Sequence, residues 1–334
     1  MTRDTATPRL PIKFACGLYD RVLRLYTGEV QPDGIDLEFV VMDEPREIFD
    51  RMGRSSEFDA CEMSASEYIS HIGTGHSPFA AIPVFVSRVF RHGFICINRK
   101  SGIKHPKDLE GKRVGVPLYT MSAALWIRGL LQHEYGVNLS RIRWVQGSFD
   151  MPGKYGSPSP PPLLKPVAIE QNQSGKSLSQ CLADGDIDAT IGSRTVSALG
   201  QNPDIQRLFP NYREVEQAYF RKTKIFPIMH LVILRRDLYE KHPFIAGSLY
   251  DAFCRAKEGA LKRMRQLGAL SYMLPWMTAE IYEINEVFGG DPWPYGLEPN
   301  RPTLEALVGY MVEQAFIPRR VPIEELFVQD TRWS

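Results

Sequence analysis

The sequence predicts an α/β fold of two lobes joined by two crossing hinge strands, and three observations predict it. At 334 residues the chain exceeds what one hydrophobic core usually holds. The spacing of apolar residues switches repeatedly between a strand period and a helix period, the alternation that layers helices on mostly parallel sheets. Two segments, "SRVFRHGFICINR" (87–99) and "IFPIMHLVILRRD" (225–237), share a basic or proline-rich approach, a histidine, an apolar strand and then arginine. A pair of crossing strands makes a hinge, and the cleft between lobes is the default ligand site. On this reading residues 1–90 plus 232–334 form lobe one, and residues 91–231 form lobe two.

In chain order, "IKFACG" is a short apolar run, "YDRVLRLYTG" has helical spacing with a glycine stop, and "IDLEFVVM" alternates as a strand does. "PREIFDRM" is helical and "FDACEM" is again a strand. "EFDACEMS" (57–64) and "DIDATIGS" (186–193) form a short repeat, each an Asp-Ala opening an apolar run that ends on serine. We read one such strand into each lobe. "DLEGKRVGVP" is a turn, a glycine stop and a strand. It leads into a helix with Ala124, Ile127, Leu131 and Tyr135 on one face, ended by Gly136. "IRWVQ" is the next strand, and residues 150–166, rich in Pro, Gly and Ser, are an excursion beside the cleft or a mobile segment. Leu249, Phe253, Ala256, Ala260 and Met264 mark a long amphipathic helix, with further helices near 278–288 and 302–314.

Composition narrows the function. Apolar residues make up 43% and charged residues 24%, and the net charge is +1, so neither nucleic acid nor an acidic membrane is expected as a partner. The opening residues carry no apolar leader and no run is long enough to span a bilayer. Cys16, Cys61, Cys96, Cys181 and Cys254 are widely spaced and mostly within apolar runs, as reduced thiols of a cytoplasmic protein would be. There is no Walker loop, dinucleotide fingerprint, zinc-cysteine pair or nucleophile elbow. His71 and His76 lack a helical ligand register and a nearby carboxylate–histidine pair, so a metal site is not expected there. The chain permits a homo-oligomer without specifying one.

Ligands of open α/β sheets bind at the carboxyl ends of the strands, which selects the candidate residues. Tyr19 and Arg21 follow the first strand and either reach inward or belong to an ordinary turn. Glu62 falls late in an apolar strand, where a carboxylate is costly unless it faces a polar cavity. Ser64 and Glu67 have capping-box spacing. Tyr119, Thr120 and Ser122 lie where a helix should begin, and free amides there attract an anion. Arg88 and Arg91 suit bidentate carboxylate binding, with Arg88 preferred. His92 and His230 sit in the two crossings. A lone histidine in an apolar run is usually a satisfied core residue, but Pro227 and the hinge placement favour a cleft role for His230.

"FDACEMS", "AIPVFVSRVFRH", "DLEGKRVGVP", "RGLLQHEYGV", "IFPIMH", "YGLEPNR" and "IEELF" resemble, in order along nearly the whole chain, signature stretches of 4,5-dihydroxyphthalate decarboxylases. Residues 118–122 and the 150–205 region match that pattern least. The resemblance implies a fold like that of type II periplasmic binding proteins. It also implies a cofactor-independent, non-oxidative decarboxylase of an aromatic diacid, giving protocatechuate. Each carboxylate of such a substrate is para to a hydroxyl, so ionising the hydroxyl loads the carbon that must be protonated. His230 is then the expected proton-transfer residue with His92 second, and Glu62 a catechol acceptor. Arg88, Thr120 and Ser122 would hold carboxylates, with Tyr19 or Tyr119 against the ring. Two alternatives stay open: an aromatic-acid binding protein without catalysis, and a lyase acting on another carboxylated ring.

Overall fold

The computed structural model describes residues 9–75, 77–158 and 160–333. Strands β1 (Leu10–Cys16), β2 (Ile35–Val41), β3 (Ala60–Ser64) and β4 (Phe79–Arg88) belong to a first sheet. The chain then builds a second sheet from β5 (Cys96–Asn98), β6 (Arg113–Val116), β7 (Arg143–Gln146), β8 (Ile169–Gln171), β9 (Ala189–Thr190) and β10 (Ile205–Arg207). It returns through β11 (Ile228–Arg235), which lies in the first sheet between β3 and β4. The orders are β2-β1-β3-β11-β4 and β10-β5-β9-β6-β7-β8. Helices α1 (Leu23–Tyr26), α2 (Pro45–Ser55), α3 (Ala65–Gly73), α4 (Ser122–Tyr135), α5 (Leu178–Asp184) and α6 (Tyr212–Thr223) alternate with the strands. After β11 come α7 (Arg236–Lys241), α8 (Phe244–Met264), α9 (Met277–Phe288) and α10 (Arg301–Glu313). This is the two-lobed α/β fold expected, with the chain crossing between sheets twice. Among the described residues no helix is long and apolar enough to cross a membrane.

Position in the sheet explains the strand sequences. Phe14, Ala15 and Cys16 of β1 are fully buried between β2 and β3, so the strand reads as an unbroken apolar run. Edge strand β2 alternates, with Ile35 buried and Asp36 exposed. The parallel strands β1 and β3 end at the same edge of the first sheet, and antiparallel β11 begins there. Helix α4 departs from its amphipathic expectation, because every residue from Ser122 to Leu131 is buried, not one face alone. It is wedged between the lobes: the Trp126 indole donates to the Ile228 carbonyl at 2.8 Å, and Gln314 of the chain after α10 donates to the Leu125 carbonyl at 3.1 Å.

The proline and histidine of "IFPIMH" now have separate explanations. Pro227 precedes β11, so no ladder donor is lost, and its carbonyl accepts from the Val89 amide at 3.2 Å. His230 sits between two register shifts in the pairing of β11 with β4. Such bulges re-aim a side chain beside a functional site.

The 150–166 excursion crosses the cleft instead of hanging free. The Ser157 amide donates to Asp50 of α2 at 2.8 Å, and Leu164 donates to the Ala315 carbonyl at 2.8 Å. Gly156 makes the crossing possible: its φ is +65°, and a Cβ there would meet Arg46 Cγ at 2.6 Å.

Candidate active site

A cleft of about 270 Å³ lies at the edges where strands of both sheets end. Its walls include Tyr19, Glu44, Arg46, Phe49 and Ser64 from the first lobe, and Met121, Ser122, Tyr155 and Ser193 from the second. Ser87, Val89, Arg91, Met229 and His230 come from the two crossings. Ser64 and Ser193 are the terminal serines of the short sequence repeat, and each closes one lobe's strand segment at this cleft.

Glu62 is the centre of the polar network. It sits near the end of β3, flanked by β1 and β11, and is fully buried. Oε1 accepts from the His230 ring at Nδ1 (2.5 Å) and from the Tyr19 hydroxyl (2.8 Å). Oε2 accepts from the Gly17 amide (3.1 Å) and the Cys16 thiol (3.4 Å). Burial alone would raise this carboxyl, but the His230 charge and hydrogen bond, with Gly17 and Tyr19, bring it below its ordinary value. A carboxylate only accepts, so Nδ1 carries the proton and Nε2 is left toward the cleft with no hydrogen bond among the described residues. The Phe49 ring meets the imidazole edge-on at 4.9 Å between centroids and completes its restraint. Burial and the neighbouring Glu62 charge push the Tyr19 hydroxyl well up, so it stays a donor.

The serines join the lobes. Ser64 Oγ lies 3.0 Å from Ser122 Oγ, and the Ser66 amide donates to Ser122 Oγ at 3.0 Å. Ser66 Oγ donates to the Thr120 carbonyl at 2.8 Å. Helix α4 begins here with no side-chain cap, and first-turn amides have no acceptor within their own helix. Ser64 makes no cap for α3, so the expected capping box is absent. Glu67 instead binds Arg46, with Nη2 to Oε2 at 3.1 Å.

The remaining expected residues lie elsewhere. Arg88 is buried away from the cleft, bonded to Asn300 and to the carbonyls of Pro294 (3.0 Å) and Phe226 (3.4 Å). The period of a strand explains this: Ser87 and Val89 face the cleft, so Arg88 between them points to the other side. His92 is enclosed by Tyr135, Phe209 and Tyr219, with neither ring nitrogen hydrogen-bonded. Burial lowers it to about 4. Arg21 stands behind Tyr19: its guanidinium is 4.3 Å from both the Tyr19 and Trp293 ring centroids, and its Nε donates to the Val86 carbonyl at 2.7 Å. Tyr119 is buried beneath Arg128, whose guanidinium lies 3.7 Å from its ring. Among the described residues the buried Thr120 hydroxyl has no hydrogen-bond partner. Glu62 is sealed from the cleft, so it cannot take a proton from a ligand directly. His71 packs edge-on against Phe79, and His76 lies outside the described residues.

Sequence reasoning missed Glu44, Arg46, Phe49, Tyr155 and Ser193. The repeat pointed at Ser193, and the excursion at Tyr155. Glu44, Arg46 and Phe49 surround an ordinary helix start and carried no signal. Among the described residues no group of three His, Cys, Asp or Glu side chains is arranged to hold a metal ion.

Comparison with known proteins follows the same lines. A protein from Comamonas testosteroni named 4,5-dihydroxyphthalate decarboxylase is 36% identical over 320 residues, spanning 96% of each chain. A Pseudomonas putida protein of the same name is 37% identical over 217 residues, 64% of this chain and 82% of that one. No family model matches. Among solved structures, the periplasmic aliphatic sulphonate binding protein SsuA from Escherichia coli superposes with a TM-score of 0.54 at 13% identity, over 98% of this chain and 94% of its own. The alkanesulfonate-binding protein SsuA from Xanthomonas axonopodis pv. citri gives 0.51 at 12%, over 97% and 99%. At such identity these two show the periplasmic-binding-protein fold alone.

Proposed function

The chain belongs to the 4,5-dihydroxyphthalate decarboxylase family, and we propose that it is a carboxy-lyase converting 4,5-dihydroxyphthalate to protocatechuate without oxidation. The observation that carries the mechanism is the buried Glu62–His230 pair opening onto the cleft. The net reaction replaces a carboxylate by a proton, so the site must deliver one proton to a ring carbon. Glu62 orients the imidazole, and Nε2 of the imidazolium gives its proton to the carbon bearing the leaving carboxylate. The C–C bond electrons return to the ring as carbon dioxide departs, and His230 regains a proton from water.

The ring supplies its own electron push. Its para hydroxyl loses density to the reacting carbon, which is why no cofactor is required in this reading. Glu44, a cleft carboxylate with no ion-pair partner among the described residues, is our candidate acceptor for that hydroxyl proton, and it returns the proton to the ring oxygen once carbon dioxide has left. Ser122 and the opening amides of α4 offer hydrogen bonds to substrate oxygens. Tyr19 holds Glu62 and presents its ring to the cleft. Lobe one is taken as residues 1–90 plus 232–334 and lobe two as 91–231, with closure excluding water. Five unpaired cysteines, four of them buried, support a cytoplasmic setting.

The test is direct. Purified protein is incubated with 4,5-dihydroxyphthalate, and carbon dioxide and protocatechuate are quantified by chromatography. Equimolar release of both is expected. Tight binding with no release would mean a binding protein in place of an enzyme.

A further inference from the structure

Three arginines line the cleft, and two are already neutralised. Arg46 binds Asp50 at 2.7 Å and Glu67 besides. Arg194 is exposed and lies 3.5 Å from Asp150. Arg91 differs: it is 4% exposed, and among the described residues no carboxylate forms an ion pair with it. Its Nη1 donates to the Ser193 carbonyl at 3.0 Å, and its Nε points at the Met229 sulfur at 3.2 Å, a weak acceptor. Nη2 makes no hydrogen bond among the described residues. A buried guanidinium without a counter-charge is costly until an anion enters beside it. Burial draws it down to about 9, with Glu216 its only opposing influence.

We infer that Arg91 anchors the carboxylate the substrate keeps, and that this anchoring stops the reaction after one carbon dioxide. The inference rests on the decarboxylase reading above. A carboxylate that leaves becomes neutral carbon dioxide, so a cation upon it would stabilise the ground state more than the transition state. A guanidinium that stacks on the Phe94 ring at 4.8 Å but holds no carboxylate in direct contact therefore favours turnover only by holding the other carboxylate. The product supplies the second argument. Protocatechuate still has a carboxylate para to a hydroxyl, so ring chemistry alone permits a second loss. With that carboxylate on Arg91, the ring presents a C–H to His230. A catechol with one carboxylate should thus bind as an inhibitor and not react.

Phthalate tests the anchor apart from the chemistry, because it has both carboxylates and no hydroxyl to drive reaction. Calorimetric titration of the wild type, Arg91→Gln, Arg91→Lys and His230→Ala with phthalate is the core experiment. Arg91→Gln should weaken binding about 100-fold and His230→Ala less than about fivefold. Arg91→Lys, which keeps charge but loses the fork, should fall between and covers the case in which the glutamine variant fails to fold. With 4,5-dihydroxyphthalate, Arg91→Gln should raise KM far more than it lowers kcat, and should lose inhibition by protocatechuate. Phthalate binding within threefold of wild type in both Arg91 variants, alongside normal wild-type turnover, would overturn the anchor alone. Arg91-dependent phthalate binding with no wild-type turnover would overturn the decarboxylase reading and leave the anchor standing. Conversion of protocatechuate to catechol by the wild type would overturn the stop.

Discussion

Replacing Glu62 by glutamine keeps the volume of the side chain and removes only its charge and half its acceptors. Glu62 accepts four hydrogen bonds, two on each oxygen. A glutamine amide nitrogen turned to Gly17 leaves that backbone N–H unpaired, and turned to His230 and Tyr19 it forces the imidazole into the other tautomer and the hydroxyl into an acceptor role. Leaving a buried donor unpaired costs about 1–3 kcal/mol, so a drop of a few degrees in Tm is expected. The catalytic loss is larger. Two unit charges at contact interact by about 4 kcal/mol at an effective dielectric near 20, and each 1.4 kcal/mol or so is a tenfold change in rate. Losing the carboxylate charge beside the imidazolium should therefore lower kcat by roughly 10²–10³-fold. The assay is initial-rate carbon dioxide release at saturating 4,5-dihydroxyphthalate, with the melting curve of each sample recorded in parallel. A folded Glu62→Gln protein with kcat within threefold of wild type would refute the dyad. So would an effect confined to KM. The wild-type pair also has a direction in pH. Glu62 is depressed in the folded state, so its stabilising contribution is present above the ordinary carboxyl value of about 4.3 and is lost as pH falls through the lower folded value.

Other outcomes follow from the same geometry. His230→Ala should lower kcat by about 10²–10⁴-fold and also lower the melting temperature, since it leaves the buried Glu62 carboxylate without its main partner; unchanged turnover in the folded variant would remove it from the mechanism. Glu44→Gln should lower kcat by about tenfold or more at neutral pH with a smaller change in phthalate binding, read by the same rate and titration measurements. His92 is neutral in the fold down to about 4, whereas an unfolded histidine protonates near 6.5. The unfolded chain takes up that proton first, so stability should fall as pH drops from about 6.5 to about 4, by up to roughly 3 kcal/mol. Urea midpoints at pH 7.5 and pH 5 should converge in His92→Phe; an undiminished gap in that variant would contradict the buried neutral ring. Gly156→Ala should cost about 1–2 kcal/mol and raise KM, because the excursion can no longer lie against Arg46. A wild-type KM would show that the contact is dispensable.

Period and composition were enough to read the layered α/β fold, the two crossings and the start of α4 from the chain. Those features depend on local spacing, and local spacing is what a sequence displays. The cost of a carboxylate in an apolar strand and of a histidine in another likewise marked Glu62 and His230 separately. Only the tertiary structure joined them, because their contact comes from the pairing of β3 with β11, 168 positions apart in sequence. It also reversed the choice between two arginines. Arg88 and Arg91 are equally basic and three residues apart, and the face on which each falls depends on strand phase and on the path of the crossing after β4. His92, one residue beyond a cleft arginine, turns into an aromatic core for the same reason. The sequence by itself determined which residues were expensive to place; the fold decided which of them meet, since burial and partnership are set by segments that come together only when both lobes are built.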